Sequence, residues 1–310
     1  MKSASPTKLA PQPDYRPRMR VVGIVSPGAM GSAVGAAYVD AGRRVVTTLA
    51  GRSERTCALA EAAGLEILPD LDAVVAEADL VLSIAPPDQA LAIGADLALA
   101  ATRTGPRPLV SDWNAISPAT AHELERVLAA AGLELVDGSI SGGPPRADYR
   151  TRIYLSGARA AELVGPPRLD VRVVGDEIGL ASAVKMCTAS VYKGFTALLA
   201  QALATAHSNG VLEPVLDDLH HSFPRQIDDA ARLLAVSTTK ASRYVGEMHE
   251  IAATQQRAGS TPALFEAMAE VYARLARTEL AAEAPEAISA SPALEDVLVR
   301  MKPVDAGERT

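Results

Sequence analysis

Arg20-Val21-Val22-Gly23-Ile24-Val25-Ser26-Pro27-Gly28-Ala29-Met30-Gly31 is the stretch that decides the fold. Residues 20–25, mostly Val and Ile, read as a short buried strand. A Gly-rich turn follows, and a helix runs on from about Ala29 to Ala41. This strand–turn–helix setting is where a G-x-G-x-x-G dinucleotide fingerprint acts. Gly28 lets the backbone approach a pyrophosphate, and Gly31 lets the helix lie close to the strand. The helix N-terminus offers free N–H groups to phosphate oxygens. Ser26 stands at the first glycine of the fingerprint, so the motif is incomplete. An ordinary strand-to-helix turn would have the same glycines, but the correct order of the flanking elements favours a cofactor site over Ser26, Pro27, Gly28, Ala29, Met30 and Gly31.

The same alternation continues outward. Strands are predicted at Val45–Thr48, Leu80–Ile84, Pro108–Ser111 and Leu133–Val136, with helices near 53–63, 87–101 and 117–131. Strand alternating with helix is the signature of a parallel, doubly wound sheet. Ala85 and Pro86, just past one strand end, join the cofactor site. After about Val174 the pattern changes. Glu177–Ser208 is Ala-rich, free of proline and long enough for roughly nine helical turns. Further helices are predicted near 224–236, 240–257 and 262–278. The expected organisation is a flexible leader (1–19), a Rossmann domain (20–176), a helical domain (177–280) and a Pro-containing tail (281–310) that ends raggedly. The fold class is α/β Rossmann followed by all-α, joined by a long interdomain helix.

Composition sets limits. Hydrophobic residues make up 48% of the chain and charged residues 22%, which suits a globular core, while aromatics are only 4%, so Ala, Val and Leu must fill it. The net charge of −7 argues against nucleic acid as the main partner, because phosphate contacts need a basic surface. Cys57 and Cys187 form neither a metal pattern nor a disulfide framework, and His220, His221 and His249 lack zinc-type spacing. No metal is expected. The N-terminus lacks the apolar core of a secretion signal. No apolar run is long enough to span a membrane. A cytoplasmic protein is the expectation.

The cofactor can be narrowed further. An NAD site usually carries an acidic residue about 20 residues past the turn, on the ribose hydroxyls. Here the sequence is Thr48-Leu49-Ala50-Gly51-Arg52-Ser53-Glu54-Arg55, with no carboxylate at the strand end. Arg52, Ser53 and Arg55 suit a 2′-phosphate, because guanidinium pairs bidentately with phosphate oxygens. NADP(H) is therefore expected.

Several motifs in order resemble the β-hydroxyacid dehydrogenases, which include 3-hydroxyisobutyrate and phosphogluconate dehydrogenases. Gly28-Ala29-Met30-Gly31 is similar to the family's G-x-M-G turn. Asp112-Trp113-Asn114-Ala115-Ile116-Ser117-Pro118 resembles the segment after the matching strand. Ser141-Gly142-Gly143 matches a substrate-binding S-G-G. Gly179 and Lys185 match the helix that carries the catalytic lysine. Val184-Lys185-Met186-Cys187, Tyr192-Lys193-Gly194, Val245-Gly246-Glu247-Met248 and Glu250-Ile251-Ala252-Ala253-Thr254 are similar to a branch whose C-terminal domain has no assigned function. The chain departs from the family pattern where asparagines usually follow the lysine, since it has Thr188 and Ala189. Asn114 stands where serine is common. A hydroxyisobutyrate or gluconate specificity does not transfer directly.

The resemblance implies hydride transfer with Lys185 as acid/base. A lysine can serve when burial or a neighbouring charge lowers its pKa. On its local sequence alone, Lys185 reads rather as a lysine that snorkels to solvent from a packed helix, and the family register reverses that. Thr188 and Tyr192 share its helical face. Ser141, Gly142 and Gly143 can offer a hydroxyl and backbone N–H groups to a carboxylate, although Gly-Gly and Pro-Pro are also plain turn signals. Asn114 is assigned to the substrate hydroxyl or the nicotinamide ribose. Lys193, two turns past Lys185, could be a second cation for an acidic substrate or a solvated residue. Arg225 and Arg243 are weaker candidates for the same role.

The expected function is interconversion of a small, anionic hydroxy acid and its keto or aldehyde partner, with decarboxylation possible for a β-keto acid precursor. Two alternatives stand beside it. One is an imine reductase on the same two-domain plan, although that class typically has Asp or Tyr at the lysine position. The other is a non-catalytic NADPH-binding regulator. The apolar helix faces, and the habit of the families this chain resembles, lead us to expect a homodimer through the helical domain.

Overall fold

The computed structural model describes residues 19–163 and 165–302. The expected leader lies almost wholly outside the described residues. An eight-stranded sheet forms the N-terminal half. Its strands are β1 (Val21–Val25), β2 (Arg44–Thr48), β3 (Glu66–Leu68), β4 (Leu80–Ser83), β5 (Leu109–Asp112), β6 (Leu135–Ser141), β7 (Thr151–Ser156) and β8 (Leu169–Gly175). Their order across the sheet is β3-β2-β1-β4-β5-β6-β7-β8. The first six run parallel. β7 turns back antiparallel to β6, and β8 pairs parallel to β7. The chain reverses direction across the sheet between β1 and β4, and such a switch point leaves a crevice at the strand C-termini.

Helices α1 (Ala29–Asp40), α2 (Glu54–Ala62), α3 (Leu71–Glu77), α4 (Ala90–Thr104) and α5 (Pro118–Ala129) connect the strands. Buried apolar residues form one cluster including Val34, Tyr38, Val45 and Ile153, and another including Ile93, Leu97, Leu124 and Leu128. These are the two faces of a doubly wound sheet, each covered by helices.

The 29-residue helix α6 (Leu180–Ser208) leads into α7 (Leu212–Ser222), α8 (Pro224–Asp228), α9 (Ala230–Thr238), α10 (Ala241–Arg257), α11 (Ala263–Leu275) and α12 (Leu294–Arg300). They share a third core that includes Met186, Leu203, Met248 and Tyr272. Among the described residues, no helix is long and apolar enough to cross a membrane.

The sequence-based expectation differs from this fold in several ways. β3, α3, α7, β7 and β8 were not expected. β6 runs on to Ser141 because Asp137, Gly138 and Ser139, which read as a loop, are buried strand residues. The single helix expected over 224–236 is divided near Asp229 into α8 and α9. The tail is not ragged through its described part: Val297, Leu298 and Met301 of and beside α12 are buried in the helical core.

α6 is anchored at its first turn. Gly179 adopts the left-handed region (φ +94°) that favours glycine, and the helix begins after it, at Leu180 rather than Glu177. Asp137 of β6 lies buried beneath that start. Its Oδ2 accepts from Gly179 N at 2.9 Å, Ser182 N at 3.0 Å and Ser156 Oγ at 2.9 Å, and its Oδ1 accepts from Ser182 Oγ at 2.6 Å. Anionic oxygens at a helix N-terminus satisfy orphan N–H groups and the helix dipole together. Burial pushes the Asp137 carboxyl up, and the hydrogen bonds oppose it. Asp137→Ala leaves these donors buried without a partner and is expected to cost about 2–4 kcal/mol. A urea-unfolding midpoint equal to that of wild type would overturn this role.

Candidate functional site

The turn after β1 has the geometry of a phosphate cradle. Ser26 sits at φ +62°, a left-handed conformation that costs a non-glycine residue roughly 1–2 kcal/mol. Its Oγ is the one buried side-chain polar atom without a hydrogen-bond partner among the described residues. A Cβ at Gly31 would come 2.7 Å from Ser26 O, so α1 can approach the turn only with glycine there. A Cβ at Gly28 would meet nothing within 4 Å, so this backbone lies open to a ligand. Gly28 N donates to Ser26 O at 2.8 Å and Ser32 Oγ to Pro27 O at 2.6 Å, which fixes the turn. A strained serine with an unsatisfied hydroxyl beside open backbone fits a bound dinucleotide phosphate.

The residues at the end of β2 divide in their roles. Arg52 is exposed. Ser53 caps α2, its side chain accepting from Thr56 N at 3.3 Å. Arg55 pairs with Glu286 of the C-terminal segment, its Nη2 lying 2.5 Å from Glu286 Oε1. Both members of this pair are about half exposed.

Asn114 departs from expectation. It is buried, with Nδ2 donating to Asp112 Oδ2 at 2.7 Å and Ser83 Oγ at 3.1 Å, while its Oδ1 accepts from Ala85 N at 2.5 Å. The amide therefore ties the end of β4 to the end of β5, and both Nδ2 hydrogens are used within the protein, leaving one lone pair of Oδ1. Asp112 beneath it is fully buried, and burial pushes its carboxyl up to about 7.

Lys185 and the Ser141-Gly142-Gly143 turn lie together. Lys185 Nζ donates to Ile140 O at 2.7 Å, one residue before Ser141. Gly142 lies at φ +123°, and a Cβ there would come 2.3 Å from Tyr149 Oη, so Tyr149 overhangs the turn. Thr151 Oγ1 holds the turn from behind by donating to Gly143 O at 2.7 Å. Burial, and after it the positive charge of Arg243, lower the Lys185 pKa to about 8.

Three neighbours on α6 do not take the expected places. Thr188 donates its hydroxyl to the helix carbonyls of Val184 and Lys185, at 2.9 and 3.2 Å, leaving only lone pairs to offer. Tyr192 is 71% exposed, outside any enclosed site. Lys193 is neither a solvated residue nor a free cation. It forms a buried ion pair with Glu247 of α10, lies 4.2 Å from the centre of the Tyr244 ring, and receives a 2.7 Å hydrogen bond from Tyr272 Oη on its backbone carbonyl. Arg243 Nε lies 3.2 Å from the other oxygen of Glu247. Arg225 is exposed on α8 and enters none of these contacts. His220 pairs with Asp228 at 3.1 Å.

Sequence reasoning missed Tyr149, Glu247 and Glu250. Glu250 Oε2 accepts from Ser117 N at 2.6 Å and Thr120 Oγ1 at 2.8 Å, so α10 caps the start of α5 across the two halves of the chain.

Comparisons with known proteins agree with this architecture. Residues 21–164 match the family model described as the NAD binding domain of 6-phosphogluconate dehydrogenase, and residues 206–275 match a domain of unknown function, DUF1932. A 3-hydroxyisobutyrate dehydrogenase of Pseudomonas aeruginosa is 31% identical over 151 residues, which are 46% of this chain and 50% of that one. A conserved protein of unknown function, described as structurally similar to 3-hydroxyacid dehydrogenases, is 28% identical with a TM-score of 0.61, over 83% of this chain and 96% of that one. The 3-hydroxyisobutyrate dehydrogenase of Mycobacterium tuberculosis superposes with a TM-score of 0.64 at 20% identity, over 87% of this chain and 97% of that one, a likeness of fold.

Proposed function

We propose, for a chain whose residues 21–164 belong to the NAD-binding family of 6-phosphogluconate dehydrogenase and whose residues 206–275 belong to the DUF1932 family, an NADP(H)-linked oxidoreductase that interconverts a small anionic hydroxy acid and its keto or aldehyde partner. The observation that carries this reading is Lys185 Nζ, 2.7 Å from Ile140 O at the mouth of the Ser141-Gly142-Gly143 turn. A nicotinamide cofactor, when bound, supplies the hydride acceptor. Ser26 Oγ and the open backbone at Gly28 would hold its pyrophosphate. Ser141 and the glycine N–H groups receive the substrate carboxylate. Neutral Lys185 takes the proton of the substrate hydroxyl, and in the reverse direction its ammonium returns it to the forming alkoxide.

Arg52 and Arg55 are the proposed 2′-phosphate ligands. An exposed pair such as Arg55–Glu286 is worth about 0–1 kcal/mol, so a phosphate dianion can displace the carboxylate. The helical domain also carries Val191, Tyr192 and Leu198 on one stretch of α6, each more than half exposed. A second copy of the chain is the proposed cover for this apolar face, because contiguous exposed apolar side chains are rare on monomers.

Three measurements test these readings. NADPH formation over a panel of 2- and 3-hydroxy acids should be abolished in Lys185→Ala, with NADPH binding retained. In wild type, oxidation should rise and reduction should fall as pH passes through about 8, since oxidation needs the neutral amine and reduction the ammonium. Turnover surviving in the variant would sink the lysine assignment. Binding without hydroxy acid turnover would move the reading to imine reduction or to a regulator. For the cofactor, the double variant Arg52→Ala/Arg55→Ala should weaken NADP(H) binding roughly tenfold or more and NAD(H) binding far less, from the strength of charge-assisted hydrogen bonds. Glu286→Gln should tighten NADP(H). An unchanged ratio of the two affinities refutes the phosphate role. Finally, light scattering should give twice the chain mass, and Leu198→Glu should reduce it. A monomeric wild type removes the dimer.

A further inference from the structure

Basic side chains concentrate where α6 faces α10. Lys185 and Lys193 stand on α6, while Arg243 and, just before its first residue, Lys240 belong to α10. One buried carboxylate, Glu247, lies among them. It is fully engaged: one oxygen takes Lys193 and the other takes Arg243 Nε at 3.2 Å. Lys193 is further enclosed by the Tyr244 ring, so it is neutralised and hidden. Arg243 differs. Its side chain is 48% exposed, and its Cζ lies 5.6 Å from the centre of the Tyr244 ring. A guanidinium has five N–H donors. Glu247 and the Tyr244 hydroxyl engage two sides of it. That leaves donors of a half-exposed guanidinium for a ligand. Arg243 is also near enough to Lys185, Lys193 and Lys240 for its charge to lower all three lysines. Four cations, Lys185, Lys193, Lys240 and Arg243, stand here against Glu247 and, beside Lys240, Glu286, an excess of positive charge that favours a bound anion.

One acidic group of the proposed substrate is already accounted for by the Ser141-Gly142-Gly143 turn beside Lys185. We propose that Arg243 grips a second acidic group, so that the preferred substrate is a hydroxy acid bearing an additional carboxylate or phosphate. This rests on the hydroxy acid reading for its substrate class, but the grip itself is separable from turnover. Glu247 and Tyr244 act as positioning residues: they fix the guanidinium plane, and Glu247 balances Lys193 so that Arg243 is left for the ligand.

The test compares hydroxy acids of equal chain length carrying one carboxylate, two carboxylates, or one carboxylate and one phosphate. Wild type should favour a doubly acidic member by at least roughly tenfold in kcat/KM, as expected for charge-assisted hydrogen bonds. Arg243→Gln should lose that preference mainly through KM, and Arg243→Lys should restore part of it. Any effect of Arg243 on Lys185 itself falls on all substrates alike and cancels in the ratio. Whether the dicarboxylate or the phosphorylated acid is preferred identifies the second group. Equal losses on singly and doubly acidic substrates, or no preference in wild type, would overturn the proposal. A binding arm separates it from the hydroxy acid reading. Succinate should stabilise the NADPH-loaded wild type against heat more than propionate does, and Arg243→Gln should abolish the difference. Succinate stabilisation without any hydroxy acid turnover would retain the grip and reject the reaction. Absence of stabilisation together with turnover of monoacids would do the reverse.

Discussion

The buried carboxylate of Asp137 holds together the two halves on which everything else depends. It belongs to β6, yet its partners Gly179 and Ser182 open α6. The same strand ends in Ser141, and the same helix carries Lys185 a turn further on. Fixing one end of α6 to one strand therefore fixes the distance between the lysine and the glycine turn. Ser139 adds a second tie by donating to Ala181 O at 2.9 Å. A long helix attached only by apolar packing could slide or rotate. A carboxylate that accepts from two backbone N–H groups of its first turn cannot let it do either without leaving those groups unpaired.

From this anchor, two lysines eight residues apart meet opposite environments. Lys185 faces a carbonyl, Ile140 O, which accepts a hydrogen bond but does not neutralise charge. Burial there favours the neutral amine, which suits a group that must exchange a proton near neutral pH. Lys193 faces Glu247, and the pair is buried between helices. Its contribution is geometric, since a buried pair satisfies itself and orders what surrounds it. The difference arises from what α10 presents opposite each position, and the sequence of α6 alone does not contain it.

That distinction sets what could be read in advance. The Rossmann half was legible because its strands are short runs of Val, Ile and Leu between turn residues, and the cofactor turn has a fixed order of elements. The end of β6 was hidden because Asp137 and Ser139 are polar residues buried by their hydrogen bonds, which periodicity scores as loop. β8 was hidden because it is an edge strand carrying part-buried Asp170 and exposed Arg172, a common protection against further pairing. Lys185 was legible only through a family pattern. Its local sequence favoured a solvated lysine. Asn114 suits a ligand by its type, and the sequence does not show that Ser83, Asp112 and Ala85 engage its amide within the protein. Glu247 stood in a quoted motif, but its pairing with Lys193 spans two helices distant in sequence.

α10 is the element through which the two halves of the site meet. Its Glu250 caps α5 of the sheet half, a Cβ at its Gly246 would stand 3.4 Å from the ring of Pro87, and its Glu247 and Arg243 face α6. On one helix, therefore, consecutive turns touch the strand-end loop, the acid/base helix and the open side of the cleft. A ligand that pulls on Arg243 acts on the same rigid rod that abuts Ala85-Pro86-Pro87. Any tilt of α10 would strain the Glu250 cap and the Glu247 pair together, so these polar contacts hold the rod in one register.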